Sequence, residues 1–263
     1  MSDAHHHADH DFFVPAPSLW PPLTCLGAGV LMAGIVLLLH ATPAILGQGT
    51  ITVGLLTILL GAAGWFKDLI NESRARGFKA VPLVLDLGNR YGMIFFIASE
   101  VMFFSAFFAA YFYLRMHNAA WPPANIATLS IDLPIINTLL LLTSGATITW
   151  AHHAVLHGRR SEAILATFLT WQLGVFFLVC QAVEYHHAAY TLSSGVYGTT
   201  FFMLTGFHGF HVFVGTLLLM VTHWRLTRGD FSRNQHFFFE AAAWYWHFVD
   251  VVWIGLFLFV YVL

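Results

Sequence analysis

Seven long apolar runs, separated by short polar stretches, organise the chain: Trp20–His40, Ile51–Ile70, Gly92–Met116, Ile135–Leu156, Ile164–His186, Gly198–Thr222 and Ala241–Leu263. About 20 residues of α-helix cross the roughly 30 Å hydrocarbon core of a bilayer, so each run predicts one transmembrane helix. The second run is the shortest, and the turn signals in "TPAILGQGT" set it apart from the first. "NESRARGFK", "HNAAWPPAN", "HGRRSE", "HAAYTLSSG" and "RLTRGDFSRNQH" read as loops. The pattern therefore predicts an all-α, polytopic membrane protein.

Composition agrees with that pattern. The 263 residues are 58% hydrophobic and 9% charged, where a soluble domain would carry about 25% charged residues. That leaves too little polar surface to solvate a globule. A net charge of −2 speaks against a nucleic-acid partner. Cys25 and Cys180 lie in different runs and read as buried thiols. The first 19 residues, with "HHHADHDF", form a polar His-rich tail without the basic start of a secretory signal. Residues 20–263 then form one membrane domain, divided into a two-helix part (20–70), a linking loop (71–89) and a five-helix part (90–263).

The eleven basic residues fix a topology. Lys67, Arg74, Arg76, Lys79 and Arg90 lie between runs two and three, Arg159 and Arg160 between four and five, and Arg225, Arg228 and Arg233 between six and seven. Arg115 stands alone on the opposite side. Because basic loops stay on the cytoplasmic or matrix side, the N-terminus is expected inside and the C-terminus outside.

Ionisable groups within hydrocarbon cost several kcal/mol unless paired or neutralised, so each calls for a reason. Glu100 lies at a depth of roughly 12 Å in run three, and His211, with His208 one turn before it, at roughly 16 Å in run six. In the last run, Glu240, His247 and Asp250 share an arc of roughly 80°. Glu100, His208, His211, His247 and Asp250 thus predict one buried polar cluster, toward which the arc of the last helix turns. Three roles stay open for it: bracing helices, serving proton traffic or a partner subunit, and ligating a metal. Glu184 and His187 have the ExxH spacing of di-iron bundles but lack matching glutamates. His152, His153 and His157 read as surface residues, and Gly206, Gly209 and Gly215 as points of close helix contact. Trp20, Trp65, Trp121 and Trp150 mark span ends. Arg225, at the end of run six, reads as an ordinary inside charge that is also placed to reach a lipid phosphate.

The ordered stretches "RYGMIFFIASEVMFF", "WPP", "LPIINTLLLLTSG", "TWAHHA", "QAVEY", "TGFHGFHV" and "FEAAAWYWHFVDVVW" resemble subunit III of the haem–copper cytochrome c oxidases, with a looser match through "GWFKDLINES". The resemblance implies bundles of two and five helices about a lipid-filled cleft. It also implies no haem or copper in this chain, since oxidase subunits I and II hold the redox centres. The chain would pack on subunit I, bind structural phospholipids, support proton uptake and prolong the life of a complex whose donor is cytochrome c. Glu100 would be the family's buried glutamate with His211 as partner. Trp65, Phe96 and Arg225, joined by Arg228, would meet lipid. The location implied is a bacterial plasma membrane or mitochondrial inner membrane.

"FKAVP" stands where the family has an "HTP" motif, and Phe238 stands where it usually has glycine. The other readings are the third subunit of a related quinol oxidase, or an independent transporter or metal-binding membrane protein.

Overall fold

In a computed structural model, residues 17–40, 43–76, 83–123, 131–233 and 235–263 are described. Most of the His-rich tail, residues 77–82 of the expected linking loop and residues 124–130 of the outer loop lie outside them. Helices dominate: α1 (Trp20–Leu39), α2 (Ala44–Arg76), α3 (Leu83–His117), α4 (Asp132–Leu156), α5 (Arg160–His187), α6 (Gly195–Arg228) and α7 (Phe237–Leu256). The last continues as a π-helical turn, Phe257–Val262. All seven are long and apolar enough to cross a membrane.

Several helices outrun the apolar stretches that announce them. The second element, expected to be the shortest, spans 33 residues and takes in both "AILGQGT" and "NESRAR". Helix α3 begins at Leu83, well before Gly92, so most of the loop expected over 71–89 is helical. Hydropathy marks only the part of a helix that lies in hydrocarbon. The ends carry on into the headgroup layer, where charged side chains are solvated and cost nothing.

The chain divides into two compact units, Met1–Lys79 and Ala80–Leu263. The first contains the antiparallel pair α1–α2. In α1 the buried residues are Gly27 and Gly34, and in α2 the buried positions include Gly47, Gly54 and Gly61. Glycines seven residues apart lie on one helix face and let backbones approach closely, the main source of helix attraction in lipid. A Cβ added at Gly34 would stand 2.6 Å from the backbone nitrogen of Ile51.

The second unit contains α3 to α7. Its core is aromatic and is centred on α7, whose Trp246 is fully buried and whose Trp253 is 1% exposed. Trp246 lies against Gly174 of α5 and Gly215 of α6, where an added Cβ would come within 2.7 and 2.8 Å of the indole. Of the three glycines expected to bring helices close, only Gly215 does so tightly. Among the described residues, nothing lies within 4 Å of a Cβ at Gly209, and at Gly206 the nearest atom is 3.9 Å away. Helix α6 ends at Gly229, whose φ of 77° turns the chain toward α7 in a backbone conformation that glycine tolerates best.

Candidate functional site: buried polar groups of the five-helix unit

The polar residues expected to meet in one cluster are distributed over separate sites. Glu100 of α3 and His211 of α6 form a pair, with Oε2 and Nε2 3.1 Å apart. The other imidazole nitrogen, Nδ1, donates to the Phe207 carbonyl at 2.7 Å, one helical turn back. That bond fixes the ring, so the bond between Nε2 and Glu100 contains a single proton. Phe104 meets the imidazole edge-on at 4.9 Å between ring centres, and Tyr245 lies roughly parallel to it at 6.4 Å. Apolar rings on two sides strengthen the pair by keeping water away.

His208, 1% exposed, turns elsewhere. Its Nε2 approaches the Val249 carbonyl at 3.3 Å, and its ring stacks near Trp253. It joins α6 to α7 by a bond to backbone.

Within the polar arc of the last helix, His247 and Asp250 face α4, while Glu240 meets Arg90 of α3. Asp250 is 6% exposed and lies over Gly145, where a Cβ would stand 2.5 Å from its Oδ2. His247 approaches Asp250 at 3.9 Å and Thr149 at 3.3 Å. Trp246 and Trp253 donate their indole N–H groups to Ser144 and Thr138, at 2.8 and 2.9 Å. Small and hydroxyl-bearing residues of α4 thus line up against α7, running antiparallel to it. Among the described residues, no hydrogen bond or ion pair links His247–Asp250 to Glu100–His211. The period of α7 placed its polar residues on one face, but nothing in it specified which neighbour that face meets.

At the basic end, Glu240 is a junction. Its Oε2 accepts from Arg90 of α3, whose Nε also donates to Asp86 at 2.9 Å. Its Oε1 lies 3.0 Å from His236 Nε2 and 3.8 Å from His152 Nε2. His152 was expected at the surface. It is partly buried, its ring roughly parallel to that of Phe239 at 5.7 Å, whereas His153 and His157 are exposed. The signal missed was the H-x-x-x-E spacing of His236 and Glu240, which puts both on one helical face.

Arg225 also departs from expectation. It is 5% exposed and bonds to Asp230 at 3.3 Å, with Phe231 and Phe238 stacked on its guanidinium at 4.8 and 5.0 Å. A charge held this way does not snorkel to a headgroup. Phe238 supplies one of the two flanking rings. Trp65, Phe96 and Arg228 are exposed, as lipid contact requires; Phe96 also stacks on Tyr245 at 6.2 Å.

Glu184 of the ExxH pair accepts from Gln181 at 2.9 Å and from Tyr261 at 3.2 Å, and His187 caps its own helix through Val183. The two side chains serve different partners.

The sequence model of the family described as cytochrome c oxidase subunit III matches residues 10–263. The chain belongs to that family. It is 44% identical to cytochrome c oxidase subunit 3 of Rhinoceros unicornis and 43% identical to those of Ceratotherium simum and Felis catus. Each alignment covers 97% of this chain and 98% of the relative. Membership makes the chain a non-catalytic, integral-membrane subunit of a respiratory-chain oxidoreductase.

Proposed function

We propose that the chain packs on subunits I and II of a cytochrome c-oxidising, proton-pumping complex, holds structural phospholipids, and supports proton uptake and catalytic lifetime. The full-length family match carries this reading. The surface of α3 is consistent with it. Phe95 and Met102 are 71% and 73% exposed, and a face that apolar in a membrane domain meets either acyl chains or another subunit. Haem and copper belong to the partner subunits.

The basic loops face the cytoplasm or matrix, the N-terminus inside and the C-terminus outside, in a bacterial plasma membrane or mitochondrial inner membrane. Trp65, Phe96 and Arg228 contact phospholipid. Arg225 contributes indirectly, by holding the turn between α6 and α7 in shape. Glu100 and His211 brace α3 against α6 close to the surface that serves proton uptake.

Extraction in mild detergent tests the reading. The chain should copurify with the two redox subunits in equal amounts and carry phospholipid detectable by mass spectrometry. Purification as a single species, free of them, would overturn it.

A further inference from the structure

We propose that His152, His236 and Glu240 form a binding site for a divalent transition-metal ion of the zinc class at the basic end of the five-helix unit. Two stretches supply the three: His152 lies near the C-terminal end of α4, and His236 and Glu240 lie four residues apart, at the residue preceding α7 and in its first turn. One donor atom from each lies within 4.8 Å of the other two. Zinc ligands stand about 2.0–2.2 Å from the ion, so two donors of a tetrahedron are about 3.4 Å apart. The distances of 3.0 and 3.8 Å from Glu240 Oε1 to the two imidazoles bracket that spacing.

The chemistry of the donors supports a ligand better than it supports a proton. His236 is 8% exposed, and its Nδ1 donates to the Ser232 carbonyl at 3.1 Å. Its Nε2 therefore presents a lone pair, the tautomer that a metal needs and the second contact that metal-bound histidines usually make. Among the described residues that Nε2 is buried and has no hydrogen bond, although Glu240 Oε1 is only 3.0 Å away. His152 Nε2 is likewise buried and unbonded. Two imidazole nitrogens and a carboxylate oxygen that crowd together without bonding leave a common point where a cation satisfies all three.

Arg90 opposes a cation by charge, but the surrounding carboxylates outweigh it. It donates to Glu240 Oε2 and to Asp86, so the two acids and one guanidinium sum to −1 before any ion arrives. Its bond also leaves Oε1 free and orients it, as a partner in the outer shell of a metal site does. The His152 side chain is 29% exposed, which gives water access to a fourth coordination position. An ion here joins α4 to α7 and, through Arg90, to α3.

Zinc binding to the assembled complex tests the site. The His-rich tail would also take zinc, so His5, His6, His7 and His10 are first replaced by alanine in the full-length chain. After equilibration with zinc chloride and dialysis, metal analysis should find one more zinc per complex than in the same protein carrying His152→Ala or His236→Ala. The dissociation constant should rise by on the order of 100-fold or more in either variant, at or beyond the loss caused by removing an outer-shell partner. His153→Ala, an exposed neighbour, should change nothing. Cobalt(II), offered to the unsubstituted site, should give the intense visible bands of tetrahedral coordination, a readout that needs no mutant to fold. Equal zinc content across the variants, or a weak octahedral cobalt spectrum, would overturn the proposal.

Discussion

Trp246 of α7 donates its indole N–H to the Ser144 hydroxyl of α4 at 2.8 Å, while its ring fills the gap between Gly174 and Gly215. One side chain thereby ties four helices together. Trp246→Phe keeps most of the ring but leaves a buried hydroxyl without its donor, a loss of about 1–3 kcal/mol. Trp246→Ala opens a cavity as well and should cost about 3–5 kcal/mol. Thermal melting of the purified complex, followed by release of this subunit, should rank wild type above Phe and Phe above Ala. Equal melting of all three would show that the contact is incidental.

Gly145 is the counterpart of Asp250. An alanine there would put a methyl carbon 2.5 Å from Oδ2, closer than any real Cβ contact, so the carboxyl or the helix must move. Overpacking of this kind costs about 1–3 kcal/mol. Gly145→Ala should lower the melting temperature, and adding Asp250→Ala should restore much of the loss, because the obstructed group is then gone. If the double variant is less stable than the sum of the two single changes, the clash is not the cause.

The seven spans could be read from apolar run length alone, because a bilayer enforces about 20 apolar residues per crossing whatever the neighbours are. The Glu100–His211 contact was within reach for a related reason: a buried carboxyl needs a partner, and His211 lay at a similar depth. The position of Asp250 and His247 against Gly145 and Thr149 of α4 was out of reach, because helical period gives a direction around one axis and says nothing of which helix stands there. The glycine seam of α1 and α2 was visible as Gly27 and Gly34 against Gly47, Gly54 and Gly61, a pattern of small residues that hydropathy averages away. His152 and His236 are 84 residues apart in sequence, and only the packing of α4 against α7 brings them together.

Arg225 and Asp230 give a prediction that separates structure from lipid binding. Their side chains are 6% and 9% exposed, and breaking a buried pair by removing one partner costs about 3–5 kcal/mol. Asp230→Asn removes the carboxylate that Arg225 bonds while it lies between Phe231 and Phe238. Proteolysis between α6 and α7 should accelerate in this variant, while the phospholipid content of the complex, read by mass spectrometry, stays near that of wild type. Loss of lipid without faster cleavage would return Arg225 to the headgroup role that its place in the sequence suggested.

Glu100 allows bracing and proton traffic to be told apart. His211 Nδ1 is occupied by the Phe207 carbonyl, so Nε2 can accept when its partner brings the proton. Glu100→Gln supplies an amide N–H in place of that proton and should keep the α3–α6 contact, with melting within about 1 kcal/mol of wild type. Glu100→Leu removes the partner and leaves Nε2 buried and unsatisfied, at a cost of about 1–3 kcal/mol. Haem absorption should be unchanged in both. If the pair only braces helices, the glutamine variant turns over and takes up protons at the wild-type rate and the leucine variant loses subunit on heating. If the pair relays protons, the glutamine variant keeps its melting temperature but slows in proton uptake, because an amide cannot release the proton it shares. Measuring proton uptake and thermal release in the same two preparations distinguishes the two cases, and a glutamine variant that melts as early as the leucine one would rule out the hydrogen bond on which both rest.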